Sequence, residues 1–182
     1  MSTSSNQAEE CNLDVALGVA ESGDTIVLEA DPGGGATFTT TTGWTVGSGL
    51  NGSNLNLSIE PAPGVPAVLD GQHTAEFLLV HPFAGSLTVT GVTFENSVSN
   101  HAGGGGIFNN VGSLTVANST FTDNTTTGGS SLGGGIVNGH GSVSVSNSTF
   151  TDNTTSGETT VGGGIVTSGG SVSVADSTFT GN

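Results

Sequence analysis

The residues best suited to chemistry are three carboxylates, Asp70, Glu76 and Glu95, with His73, His81 and His101 close to them in sequence. Glycoside hydrolysis needs only two carboxyl groups at a suitable separation, one as acid and one as base or nucleophile. The same residues also suit coil edges and turns on a solvated surface, and we read them that way. Asp123 and Asp152 recur at equivalent places in a repeat, which could offer carboxylate oxygens to Ca²⁺. Gly181 takes the third equivalent place, however, and an Asx turn explains the pair equally well. The four histidines lack the spacing of a zinc site. Cys11 is the lone cysteine, with no Lys or Arg to lower its pKa, and reads as a structural thiol. No catalytic residue, cofactor or metal ligand set is expected.

The charge balance removes whole function classes. The chain has 15 acids, no Lys and no Arg, for a net charge of −15. Nothing in it neutralises phosphate, so nucleic acid is not an expected partner. Nothing in it is drawn to an anionic membrane surface, and no apolar run is long enough for a spanning helix. Met1–Glu10 is polar and has no signal-peptide apolar core. Hydroxyls and amides dominate instead, as on secreted and cell-surface proteins.

The elements that must position these residues are set by a repeat. "STFTDNTT" occurs at 119–126 and again at 148–155, and "STFTGN" closes the chain. Aligned on their glycines, the units beginning at Gly104, Gly133 and Gly162 keep a 29-residue period, and Phe121, Phe150 and Phe179 hold it without a gap. A fixed period of about 20–50 residues marks a solenoid, propeller or array. Each unit carries three strand-like phrases: the GGGI stretch, the alternating "SVSVS" type and T-F-T. Period-two alternation marks a strand with one buried face. Three short strands per turn describe one coil of a parallel β-helix.

Stacked coils turn equivalent residues into ladders. Phe121, Phe150 and Phe179 are expected to stack inside, as are Ile107, Ile136 and Ile165. Asn118, Asn147 and Asp176 should mark one corner, and Asn124, Asn153 and Asn182 another. "TTTGGSSL" and "TTSGETTV" should be loops leaving one edge. Residues 84–97 repeat the plan at a 27-residue offset, and "LNLSIEP", "AVLDG" and "EFLLVHP" read as strands of diverged coils. Trp44 and Phe38 read as core. Leu13, Ala16, Leu17 and Ala20 form an apolar helical stripe, stopped at Gly23, which should cap the N-terminal end of the solenoid. The expected organisation is a polar tail over 1–10, a capping helix over 11–23 and one β-helix domain over 24–182.

Two surface features remain. Thr120/Thr122, Thr149/Thr151 and Thr178/Thr180 should form two outward columns beside the Phe ladder. Such an array resembles the surface of β-helical ice-binding proteins, although Thr also simply favours strands. Six N-x-[ST] matches begin at Asn51, Asn56, Asn118, Asn124, Asn147 and Asn153, possible glycan acceptors where the host glycosylates.

The opening helix resembles that of secreted bacterial and archaeal right-handed β-helix proteins, with Cys11, Leu13, Ala16, Ala20, Gly23, Asp24, Thr25 and Ile26 in matching places. Asp14 stands where that group has arginine. Gly134-Gly135-Ile136 and Phe150-Thr151-Asp152-Asn153 resemble the GG-[Ala/Leu/Ile] and Phe-x-x-Asn repeats of polymorphic outer-membrane adhesins. Phe94-Glu95-Asn96 departs from that pattern, its Asn arriving one residue early. Together the resemblances span most of residues 11–182. They imply an all-β, right-handed parallel β-helix with three-stranded coils. The same scaffold carries pectate-lyase-like enzymes, whose resemblance implies an Arg or Lys base that this chain lacks.

The function expected is therefore non-enzymatic: an extracellular or cell-surface structural protein, adhesin-like or filament-forming. A carbohydrate-active or glycan-binding module is the alternative, and ice binding the next. The final coil should contact another subunit, another surface protein, a glycan or a continuation of the same β-helix.

Overall fold

The computed structural model describes residues 13–46, 55–76, 78–80, 84–100, 103–128 and 130–182. They form a parallel β-helix of about five turns. Three walls run along it. The first contains Thr25–Leu28, Leu55–Pro61, Ala84–Thr90, Ser113–Ala117, Ser142–Ser146 and Ser171–Ala175. The second contains Ala36–Thr39, Ala67–Asp70, Val92–Glu95, Thr120–Thr122, Thr149–Thr151 and Thr178–Thr180. The third is one strand shorter: Trp44–Val46, Leu78–Val80, Ile107–Asn109, Ile136–Asn138 and Ile165–Thr167. Every strand pair is parallel, and in the last three coils the register steps by 29 residues, Phe121 to Phe150 to Phe179.

The alternation read from the sequence sorts the side chains. Ser113–Ala117 and Ser142–Ser146 bury Leu114, Val116, Val143 and Val145 and expose the hydroxyls between them. The expected Phe ladder extends one rung further back. Phe94, Phe121, Phe150 and Phe179 stack with centroids 4.7 Å apart and planes within 6°. The first three are fully buried, whereas Phe179 on the last rung is 43% exposed. Ile107 and Ile136 are fully buried, and Ile165 is partly so. Trp44 is core, and Phe38 packs against it at the first rung.

Four details differ from the sequence reading. The GGGI stretch is not itself a strand; the strand begins at its isoleucine. The glycines are approach points: a Cβ at Gly135 would lie 2.6 Å from the Gly164 carbonyl oxygen and 3.0 Å from Cδ1 of Phe150. "TTTGGSSL" and "TTSGETTV" are not loops. They supply strands Thr125–Thr127, Ser130–Leu132, Thr154–Ser156 and Thr159–Val161, which pair in register between coils. Thr-rich runs with a similar run in register one rung away form strand in preference to loop. The helix, α1, is Leu13–Val19, shorter than the expected 11–23; residues 11 and 12 lie outside the described residues. It buries Leu13 and Leu17 and packs on Trp44–Val46.

The fourth correction concerns Asn124, Asn153 and Asn182. The corner residue is the one before each of them. Asp123, Asp152 and Gly181 adopt φ of 53°, 52° and 68°, the left-handed region that Asp and Gly tolerate. Asn124 and Asn153 instead turn inward, fully buried. Asn124 Nδ2 donates to Asn153 Oδ1 at 2.9 Å, and Asn153 Nδ2 donates to Asn182 Oδ1 at 2.8 Å. The early Asn of Phe94-Glu95-Asn96 now has a reason. Asn96 is the left-handed corner with φ 58°, and Ser97 follows it at the inward position, its N and Oγ both donating to Asn124 Oδ1. Asn118, Asn147 and Asp176 are left-handed corners, as expected.

Candidate functional site

The second wall brings the sequence candidates together. Its outward positions form two columns. One is Thr37, Val68, Thr93, Thr120, Thr149 and Thr178; the other is Thr39, Asp70, Glu95, Thr122, Thr151 and Thr180. The six expected threonines thus stand in register on three successive rungs. Two carboxylates interrupt the second column below them.

Asp70 and Glu95 are direct register partners on adjacent strands, which lie about 4.8 Å apart. Asp70 Oδ1 accepts from the Gln72 amide at 2.9 Å and from Asn96 Nδ2 at 3.2 Å. Glu95 has its pKa raised, first by burial and then by the charges of Asp70 and Asp123. Glu76 is directed elsewhere: it accepts from Ser99 Oγ at 2.9 Å, in the short strand Val98–Ser99 past the corner. His73 sits in the left-handed turn after Asp70, its amide donating to the Asn96 carbonyl. His81, His101, Cys11 and Asn51 lie outside the described residues. No group of three or more His, Cys, Asp or Glu among the described residues is placed to hold a metal ion. Asp123 accepts from its neighbour Thr122 Oγ1 at 3.1 Å.

The Asp70–Glu95 contact makes an electrostatic prediction. Like charges opposed across a sheet are unfavourable. E95Q is expected to stabilise the protein at pH 7 by about 0.5 kcal/mol, the scale of one cross-strand charge pair. The sign follows from the raised folded pKa: the folded state binds the Glu95 proton more tightly than the unfolded chain does. The penalty is therefore absent below the unfolded value of about 4.3 and grows as pH rises through the folded one. Urea unfolding of both proteins at pH 7 and near pH 4 checks this. An E95Q gain that is the same at both pH values would refute the assignment.

The possible glycan acceptors separate by environment. Asn118 and Asn147 are exposed. Asn56 is exposed, but its amide is bonded to Ser22 Oγ and Ser86 Oγ. The Asn124 and Asn153 amides are consumed in the internal ladder, so the folded coil offers neither.

Sequence reasoning expected asparagines to bond from coil to coil, as Asn124, Asn153 and Asn182 do, but it missed that these are internal and missed the further polar ladders. Asn109 Nδ2 donates to Asn138 Oδ1 at 2.9 Å, and Ser119 and Ser148 receive amide bonds from the preceding rung. Thr126 is fully buried and bonds the Gly103 and Gly133 carbonyls. The identical spacing of these residues in the repeats was the available signal.

Two concavities lie at the ends of the coil, and neither is lined by Asp70 or Glu95. At the first rung a groove is lined by Leu13, Asp14, Ile26, Glu29, Asp31 and Phe38, among others. At the last rung a shallower one is lined by Ile165, Val172, Val174, Phe179 and Asn182 with Gly163 and Gly164. Val174 and Phe179 there are 44% and 43% exposed. Comparison with protein-family models, with curated proteins and with solved structures finds no match.

Proposed function

We propose that the protein is a non-enzymatic structural β-helix of the extracellular or cell surface, adhesin-like or filament-forming, and that it extends by stacking coil on coil. One observation carries this reading: the two ends present the same inward columns. Register runs through the first wall from Ile26 to Val174 and through the second from Phe38 to Phe179. Ile26 and Phe38 are half-buried at one end, while Val174 and Phe179 are exposed at the other. A second copy displaced along the axis would place Phe38 on Phe179 and Ile26 on Val174. Among the described residues, the outermost strands at each end have edges that no strand pairs, and such edges recruit partners. The third wall is one strand short, and α1 packs on the first strand of that same wall. A head-to-tail contact of this kind does not close on itself and builds a filament.

The 182-residue chain is expected to sediment as oligomers at high salt. F179D should abolish this while leaving the β spectrum unchanged, because Phe179 is already half-exposed on the outermost rung. A polar helix appended after Asn182 should act in the same way. An unmodified chain that stays monomeric at every salt and protein concentration would refute the stacking role.

A second reading is favoured by the register of Thr120/Thr122, Thr149/Thr151 and Thr178/Thr180: a hydroxyl lattice that contacts ice. Thermal hysteresis lost on T149A/T151A would support it. Hysteresis indistinguishable from that of an inert protein would dismiss it.

A further inference from the structure

We infer that the end-to-end joint is gated by counterions, an inference that rests on the stacking role proposed above. The chain contains no Lys and no Arg, so neither end can offer the other a cationic side chain of that kind. The acids near the joint are placed to oppose one another. On the last rung, the corner between the first and second walls is Asp176, exposed and left-handed with φ 48°. On the first rung, the same corner is the connection from Leu28 to Ala36. That connection contains Glu29 and Asp31, both exposed and both lining the first-rung groove, where Asp14 of α1 joins them. Stacking Val174 on Ile26 and Phe179 on Phe38 therefore sets Asp176 of one copy over Glu29 and Asp31 of the next.

The attraction is apolar and of short range, whereas the opposition is charge on charge and depends on screening. The Debye length falls from about 30 Å at 0.01 M salt to about 3 Å at 1 M. Low salt should keep the copies apart through both the local acids and the whole-chain charge of −15. High salt should leave only the apolar contact.

The repeat supplies a conservative variant. Asn118 and Asn147 occupy the equivalent corners with the same left-handed backbone, so D176N removes the charge and keeps the geometry. The experiment is sedimentation velocity of the 182-residue chain across a sodium chloride series, for the unmodified protein, D176N and the control E158Q. Glu158 is exposed in the bend between Thr154–Ser156 and Thr159–Val161, strands that belong to none of the three walls proposed to meet. The expected result is monomer at about 0.01 M salt and oligomer at about 1 M. D176N should assemble at several-fold lower salt, and E158Q should match the unmodified protein. Assembly that is independent of salt would overturn the gating and leave the stacking role standing. A salt-dependent assembly that D176N shifts no more than E158Q does would overturn the placement of Asp176 at the joint. Failure to assemble at any salt would overturn the stacking role and the gating with it.

Discussion

Replacing Phe150 by alanine is expected to cost about 3–5 kcal/mol, the usual range for a large aromatic ring lost from a core. The upper part of that range applies because the site cannot collapse. The ring is fully buried and sits face to face between Phe121 and Phe179 at 4.7 Å on each side. That spacing is the rung spacing, which the parallel ladders on both sides hold fixed. Gly135 has no Cβ that could move into the void. A hole made there remains a hole, and its lining loses dispersion contacts outright. F179A is the internal control. That ring is 43% exposed and has a neighbour on one side only, so its loss should be roughly half or less of the F150A loss. Urea unfolding followed by circular dichroism measures both. Equal losses, or an F150A loss below about 1 kcal/mol, would mean that the column is not the core.

The Phe column was legible because two physical constraints coincide in the last three coils. The walls demand an alternating pattern, and the connections have equal length, so the pattern recurs at 29 residues. In the earlier coils only the first constraint survives. The same inward position is Phe38, then Leu69, then Phe94, and the connections between these differ in length. The walls there can be read from alternation but not from a period. Polar residues were misread for a different reason. Asp123 and Asn124 are adjacent and both favour turns, yet one is the exposed left-handed corner and the other is the sealed amide behind it. Composition cannot separate them; the direction of a side chain at a bend can. The acids of the second wall show the same limit. Asp70 and Glu95 are 25 residues apart in the chain, and only the register makes them opposed. Likewise, no local pattern announces that the first and last rungs share their inward columns.

The ladders also show what happens when a rung breaks the sequence. Asn109 Oδ1 is buried and has no hydrogen-bond partner among the described residues. Its Nδ2 donates forward to Asn138 Oδ1, and the register places Val80 at the equivalent position on the preceding rung. Among the described residues the asparagine ladder therefore starts at Asn109, at the junction between the regular coils and the diverged ones.

Asn124 lies where the ladder is complete, and the second large effect is expected there. Its side chain is fully buried and uses both ends. Oδ1 accepts from the Ser97 amide and from Ser97 Oγ at 2.7 Å, and Nδ2 donates to the Phe94 carbonyl at 3.0 Å and to Asn153 Oδ1 at 2.9 Å. Alanine would leave the two Ser97 donors without their acceptor in the interior and would remove the Nδ2 bonds to the Phe94 carbonyl and Asn153. At about 1–3 kcal/mol for each buried donor left unsatisfied, N124A should cost at least about 2 kcal/mol. The isosteric acid separates hydrogen bonding from shape. N124D keeps the acceptor for Ser97 and fills the same volume. Its second oxygen faces two acceptors, however, and at neutral pH the group is a buried charge with no cation beside it. N124D should therefore be no more stable than N124A at pH 7, despite the better fit. Protonation restores a donor, so the introduced carboxyl has a raised folded pKa, and the deficit should shrink as pH falls toward the unfolded aspartate value of about 3.9. Unfolding of N124A, N124D and the unmodified protein at pH 7 and near pH 4 decides the matter. If N124D matches the unmodified protein at pH 7, water reaches the ladder, and the inward asparagines are surface residues in all but position.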